Sequence, residues 1–240
     1  MPESEKRKLI TETDQWSIKE GDDHMGTHNI LIVGVGGQGS LLASKLMGRA
    51  LLIEGYDAKV SEVHGMSQRG GAVVTFVRYG DKVYSPIVDK GQAELLVSFE
   101  LLEAARWLDH LAPGGQIVTN TQRINPIPVI MGAAEYPEDL VRKLEAAGAK
   151  VDAIDALALA EGAGSSKAVN IVMMGRLSKY FPFPAETWER ALEETVPPRF
   201  LELNRRAFRA GVNAGEMENG KWKMENGKLI PQQTSPGKLS

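Results

Sequence analysis

Gly34-Val35-Gly36-Gly37-Gln38-Gly39 puts glycines at the G-x-G-x-x-G positions, between the apolar run Asn29–Val33 and a helix-like stretch beginning near Ser40. Glycines at this spacing permit a tight turn and close approach of a ligand, and the helix that follows directs free N–H groups at an anion. Glu62, near the end of the next strand-like segment, stands about where a ribose-binding acid is expected. The chemistry served would be dinucleotide binding, so a free-standing NAD(P)- or flavin-binding Rossmann oxidoreductase is one reading of these residues. Two features weaken it. A second polar, glycine-rich loop, His64-Gly65-Met66-Ser67-Gln68-Arg69-Gly70-Gly71, leads into a hairpin signal where a helix would complete the half-fold. No plausible catalytic pair accompanies the glycines.

Other chemical readings fail residue by residue. Gly65-Met66-Ser67-Gln68-Arg69 lacks the second glycine of a nucleophile elbow, and strand rather than helix follows it. Gly162-Ala163-Gly164-Ser165-Ser166-Lys167 misses the phosphate-loop spacing. His24 and His28 have the four-residue spacing of a helical metal pair, but Gly26 lies between them in a polar stretch, so solvated imidazoles are expected and no metal. Asn170, in an otherwise apolar segment, is expected to be a satisfied core amide rather than a ligand-facing group. No residue stands out as a catalyst.

Composition narrows the field further. The chain has 240 residues, a net charge of −3 and 25% charged residues, which gives no electrostatic reason to expect nucleic acid or an anionic membrane. Apolar runs such as Ile30–Val35 are too short to span a bilayer, and no secretory signal opens the chain, so a cytoplasmic protein is expected. Cysteine is absent, which excludes disulfides, a thiolate nucleophile and any iron–sulfur cluster held by this chain's own thiolates.

The elements that must position the glycine loops follow an α/β rhythm. Asn29–Val33 reads as a buried strand, Ser40–Glu54 as a helix stopped by Gly55, and Ala58–Val63 as a second strand. Ala72–Tyr79 and Lys82–Ser85, joined at Gly80-Asp81, predict a hairpin. Then come a strand at Glu94–Phe99, a helix at Glu100–His110, a strand at Gln116–Asn120, a helix opened by Pro137 and ending near Gly148, and a strand at Lys150–Ile154. Lys167–Leu177 predicts a helix buried on all sides, and Ala185–Thr195 and Arg199–Ala210 predict two amphipathic ones. The expected fold is α/β: a Rossmann-like, mostly parallel sheet with helices on both faces and an inserted β-hairpin. The expected organisation is a polar extension over 1–28, one domain over 29–211 and a tail or β-arm over 212–240. In that tail Met217-Glu218-Asn219-Gly220-Lys221 recurs as Met224-Glu225-Asn226-Gly227-Lys228, each with an Asn-Gly turn signal.

Taken together, Val33–Gly39, Ser61–Gly71 and Phe76-Val77-Arg78-Tyr79-Gly80 resemble the gamma-type domain of the 2-oxoacid:ferredoxin oxidoreductases, in the form found in the small subunit of the indolepyruvate type. The similarity runs from about Asn29 to Gly211, and the Glu62–Gly71 run is its more specific part. The resemblance implies oxidative decarboxylation of an aryl 2-oxoacid on thiamine diphosphate, transfer of the acyl group to coenzyme A, and passage of electrons through iron–sulfur clusters to ferredoxin. It implies that a large cysteine-rich partner subunit holds the thiamine diphosphate, its Mg ion and the [4Fe-4S] clusters, while this chain alone binds none of them. Thiamine then supplies the carbanion chemistry, which accounts for the missing catalyst here. On this reading the two glycine-rich loops lie side by side at the carboxyl edge of the sheet. Gly34, Gly36, Gly37, Gln38, Gly39, His64, Gln68, Arg69, Gly70 and Gly71 would shape the entry of coenzyme A or substrate. Arg69 would pair with a phosphate or carboxylate, with His64 and Gln68 as hydrogen-bond donors. The competing assignment makes Arg69 and His64 plain subunit contacts.

Overall fold

The computed structural model describes residues 26–64, 71–214, 222–225 and 228–231. The elements in chain order are β1 (His28–Val35), α1 (Ser40–Ile53), β2 (Asp57–His64), β3 (Ala72–Gly80), β4 (Ala93–Ser98), α2 (Leu101–Arg106), β5 (Leu111–Asn120), α3 (Ile127–Ile130), α4 (Leu140–Ala146), β6 (Lys150–Ile154), α5 (Ala156–Ala163), α6 (Val169–Leu177), α7 (Ala185–Thr195), α8 (Leu201–Val212), β7 (Trp222–Glu225) and β8 (Lys228–Pro231). Six strands form one sheet in the order β2-β3-β1-β4-β5-β6. The pairs β1–β4, β4–β5 and β5–β6 are parallel, whereas β3 runs antiparallel to both β1 and β2. The sheet is therefore mostly parallel, as expected.

The hairpin, however, is not where it was expected. Ala72–Gly80 pairs back onto Asp57–His64 across the second glycine-rich loop, and Lys82–Ser85 forms no strand. Composition explains the order. β3 carries Val73, Val74, Phe76 and Val77, buried on both sides, as an interior strand requires. β2 carries Asp57, Lys59, Ser61 and Glu62, and so takes the edge. The segment after β3 is held by side chains instead: Asp57 accepts from the Val83 N–H at 2.9 Å, and Arg78 donates to the carbonyls of Ser85 and Ile87.

Strand alternation divides the interior into two cores. Ile30 and Ile32 of β1 face the larger one with Leu46, Val97, Val118, Ile171 and Trp188, under α1 and α5 to α8. Leu31 and Val33 face the smaller one with Phe76, Leu96, Ile117 and Leu144, under α2 and α4. α6 is buried nearly all round, as its composition predicts. Its close neighbour is α8: a Cβ at Gly175 would lie 2.0 Å from the Phe208 carbonyl oxygen, and one at Gly211 1.9 Å from that of Val172. Only glycine lets these two backbones touch.

Three other boundaries depart from expectation. α4 begins at Leu140 after Asp139, which adopts a left-handed φ of 55°, so Pro137 stands outside the helix it was expected to open. The helices α3 and α5 have no counterpart among the elements expected from the sequence. In the C-terminal segment, β7 and β8 pair antiparallel with Glu225 opposite Lys228, so the second Asn-Gly falls between paired strands. Residues 1–25, including His24, lie outside the described part of the chain. Among the described residues no helix is long and apolar enough to cross a membrane.

Glu103, on α2 and 2% exposed, pairs with Arg106 at 2.7 Å. Burial raises its carboxyl pKa, with Arg106 opposing. The folded chain thus holds this proton more tightly than the unfolded chain does. Its contribution is complete below the ordinary glutamate range and is lost as pH rises through the raised value. Urea unfolding at about pH 5 and about pH 8 should show the wild type losing ground to Glu103→Gln as pH rises. An equal gap at both pH values would contradict this.

Candidate functional site

The carboxyl ends of β1, β2, β4, β5 and β6 all point to one edge of the sheet, the usual ligand crevice of such folds. The two glycine-rich loops meet there. Val35 and Ala72 are register partners, and the Gly36 N–H donates to the Gly71 carbonyl at 2.9 Å. His64, the last residue of β2, is the register partner of Val73. The expectation that the loops lie side by side therefore holds at Gly36 and Gly71. Gln68, Arg69 and Gly70 lie outside the described residues, as does the His64 side chain.

The first loop is built from inside. Gln38 Oε1 accepts from the Val35 N–H at 2.8 Å and its Nε2 donates to the Phe99 carbonyl at 2.9 Å. The amide of Gln38 thus braces the loop and does not face a ligand. A Cβ at Gly34 would lie 2.9 Å from that Oε1 and 3.2 Å from the Phe99 Cβ. Gly39, at φ +84°, caps α1, and a Cβ there would lie 2.5 Å from Asn170 Nδ2. Asn170 donates to the Gly39 carbonyl at 3.0 Å and accepts from the Ile171 N–H, so it is the satisfied core amide expected. Gly37 differs: at φ +100°, a Cβ on it would meet open space. What the loop can offer a ligand is backbone, together with the start of α1, whose first turn has no acid and no side-chain cap. That arrangement suits a phosphate or carboxylate.

β3 decides against the dinucleotide reading. It separates β2 from β1, which puts Glu62 about 10 Å, two strand spacings, from the strand that ends in the glycine loop. Glu62 instead accepts from Thr75 Oγ1 on β3 at 3.1 Å. A ribose held at the first loop has no acid beside it from the next strand.

Comparison with known proteins then places the chain. Residues 29–214 match the family model described as pyruvate ferredoxin/flavodoxin oxidoreductase. The chain belongs to that family. An indolepyruvate oxidoreductase subunit IorB from Thermococcus kodakarensis is 44% identical over 197 residues, covering 80% of this chain and 98% of its own. The keto/oxoacid ferredoxin oxidoreductase gamma subunit from Geobacter sulfurreducens superposes with a TM-score of 0.62 at 25% identity, covering 80% of this chain and 98% of its own. A 2-oxoglutarate:ferredoxin oxidoreductase from Magnetococcus marinus, solved with 2-oxoglutarate, coenzyme A and succinyl-CoA bound, has the same fold at a TM-score of 0.62 and 20% identity. The match covers 80% of this chain but 31% of that one.

In this oxidoreductase domain, inspection of the sequence misses the groups that tie the edge together. Buried Asn120, the last residue of β5, donates to the Phe99 carbonyl at 3.1 Å, and its Oδ1 accepts from the Ala156 N–H. Phe99 O therefore joins the glycine loop, β4 and β5. Buried Glu100 caps α2 through the Glu103 N–H, and its other oxygen accepts from the Ile124 N–H at 3.0 Å and the Tyr136 hydroxyl at 2.6 Å. Burial and that bond push the Tyr136 phenol well above its usual range, so it stays a donor. A polar residue closing an apolar strand, as Asn120 does, was the available signal.

Proposed function

We propose that this chain is the small, cluster-free subunit of a thiamine-diphosphate-dependent 2-oxoacid:ferredoxin oxidoreductase of the indolepyruvate or arylpyruvate type. The observation that carries this reading is the 44% identity, over nearly the whole length of the relative, to an indolepyruvate oxidoreductase subunit. The complex oxidatively decarboxylates an aryl 2-oxoacid in the cytoplasm, releases the acyl group as its coenzyme A thioester and passes electrons to ferredoxin. Cysteine is absent from all 240 residues, so the thiolates of any [4Fe-4S] cluster belong to a large partner subunit. Thiamine diphosphate and its Mg ion belong there too, and supply the carbanion chemistry.

The part left to this chain is recognition. The uncapped start of α1 and the open backbone at Gly37 suit the phosphates of coenzyme A, with Gly34, Gly36 and Gly39 giving the turn its shape. Arg69 adds a charged partner, and His64 and Gln68 add donors, from the second loop. The test is an assay of ferredoxin reduction by the large subunit with and without this chain, with an aryl 2-oxoacid and coenzyme A supplied. Activity should require both chains. Full activity of the large subunit alone would refute the reading. In the assembled complex, Arg69→Ala should raise the apparent KM for coenzyme A about tenfold or more with kcat and assembly kept. An unchanged KM, or failure to assemble, would make Arg69 a subunit contact.

A further inference from the structure

Among the described residues ten large apolar side chains are exposed, and five of them, Leu41, Val63, Ile127, Ile130 and Met131, stand at the carboxyl edge of the sheet. Ile127, Ile130 and Met131 are 64%, 72% and 76% exposed. Their i, i+3, i+4 spacing puts them on one side of the single turn α3. The run 124–134 around them holds eleven residues without a charge. The loop that carries the turn is tied at both ends: Glu100 Oε1 takes the Ile124 N–H on one side of it and the Tyr136 hydroxyl on the other. Apolar groups clustered on a polar edge mark a protein contact.

We infer that α3 is the anchor by which this chain docks its large thiamine- and cluster-carrying partner, with Val63, on the smaller-core face of β2, as the second point of contact. This rests on the functional reading above. β2 and β5 are four strand spacings apart, about 19 Å, so the two contacts stand well apart along the edge. The first glycine-rich loop, with Gly71 hydrogen-bonded to it, lies between them, in the seam that the partner would close. An uncharged ridge requires an apolar groove opposite, which excludes a nucleic acid or a small acidic carrier as the occupant. The occurrence of the same fold as 31% of a longer chain in the 2-oxoglutarate enzyme agrees with a domain used with more protein around it.

The test is titration of the purified full-length chain onto the large subunit, followed by size exclusion and calorimetry. Ile130→Asp/Met131→Asp should weaken binding on the order of 100-fold. Tyr84→Asp, at an 88% exposed residue beyond the opposite edge, should leave it unchanged. Circular dichroism should show both variants folded, since the altered side chains face solvent. Wild-type affinity in the double variant, or equal loss in Tyr84→Asp, overturns the assignment. So does a wild-type homodimer that the double variant dissolves, because the ridge then joins two copies of this chain. If the wild-type chain does not bind the large subunit at all, the functional reading itself fails, and this inference with it.

Discussion

Gly211→Ala should lose at least about 4 kcal/mol of folding stability, a large part of the ~5–15 kcal/mol that a domain of this kind has. The added Cβ would stand 1.9 Å from the Val172 carbonyl oxygen, which is backbone and cannot swing aside. Gly175→Ala meets the Phe208 carbonyl in the same way from the opposite helix. Relieving either clash means separating α6 from α8, and α6 lies in the middle of the larger core with Ile171, Val172, Met173 and Met174 all buried. Gly48→Ala is the control, because a Cβ there makes an ordinary 3.5 Å contact with Val60 and alanine favours the helix. Thermal unfolding of the three variants decides the matter. A Gly211→Ala midpoint equal to that of Gly48→Ala would show that the two helices do not pack as closely as described.

The second large effect lies at the glycine loop. Asn170→Ala removes the hydrogen bond between α6 and the cap of α1 and takes one donor from the Gly39 carbonyl. The Gly39 carbonyl keeps the Leu42 and Ala43 N–H groups, so the expected loss is about 1–2 kcal/mol, from one lost hydrogen bond and the emptied space together. Gly39→Ala alone should cost about as much, through its φ of +84° and the 2.5 Å approach to Asn170 Nδ2. The double variant should cost less than the sum, since removing the amide also removes the clash. Amide exchange at residues 36–42 should accelerate in each variant. Strict additivity of the two losses would mean that the side chain of Asn170 does not reach the loop.

Much of this architecture is legible from local pattern. β1, β4, β6, α6 and α7 have apolar runs, periods or end signals that stand out against their flanks, and the two loops declare themselves through glycine spacing. The order of β2 and β3 is not local. It depends on which strand finds two covered faces, and Ala58–Val63 reads as the partner of β1 until the less polar Ala72–Gly80 is allowed to compete for that place. α3 is a single turn that follows Pro126 and contains Pro128, too short for any period to show. The bracing groups escaped for another reason: Gln38, Asn120 and Glu100 are polar residues whose partners are mostly backbone atoms of distant segments, and backbone leaves no mark in a sequence. Gln38 looked ligand-facing because it sits within the motif, whereas its geometry makes it the loop's internal strut. Asn170 reads as a core residue from its apolar flanks, but its link to Gly39, across 131 positions, has no local signal.

The central claim, that this cysteine-free chain serves a larger cluster-bearing oxidoreductase, is tested most directly by anoxic affinity purification from the cells that make it. The absorption spectrum and the composition of what comes with it should be recorded. The expected result is a brown complex containing a much larger cysteine-rich chain and thiamine diphosphate. A colourless protein that elutes alone and binds a dinucleotide would contradict the claim.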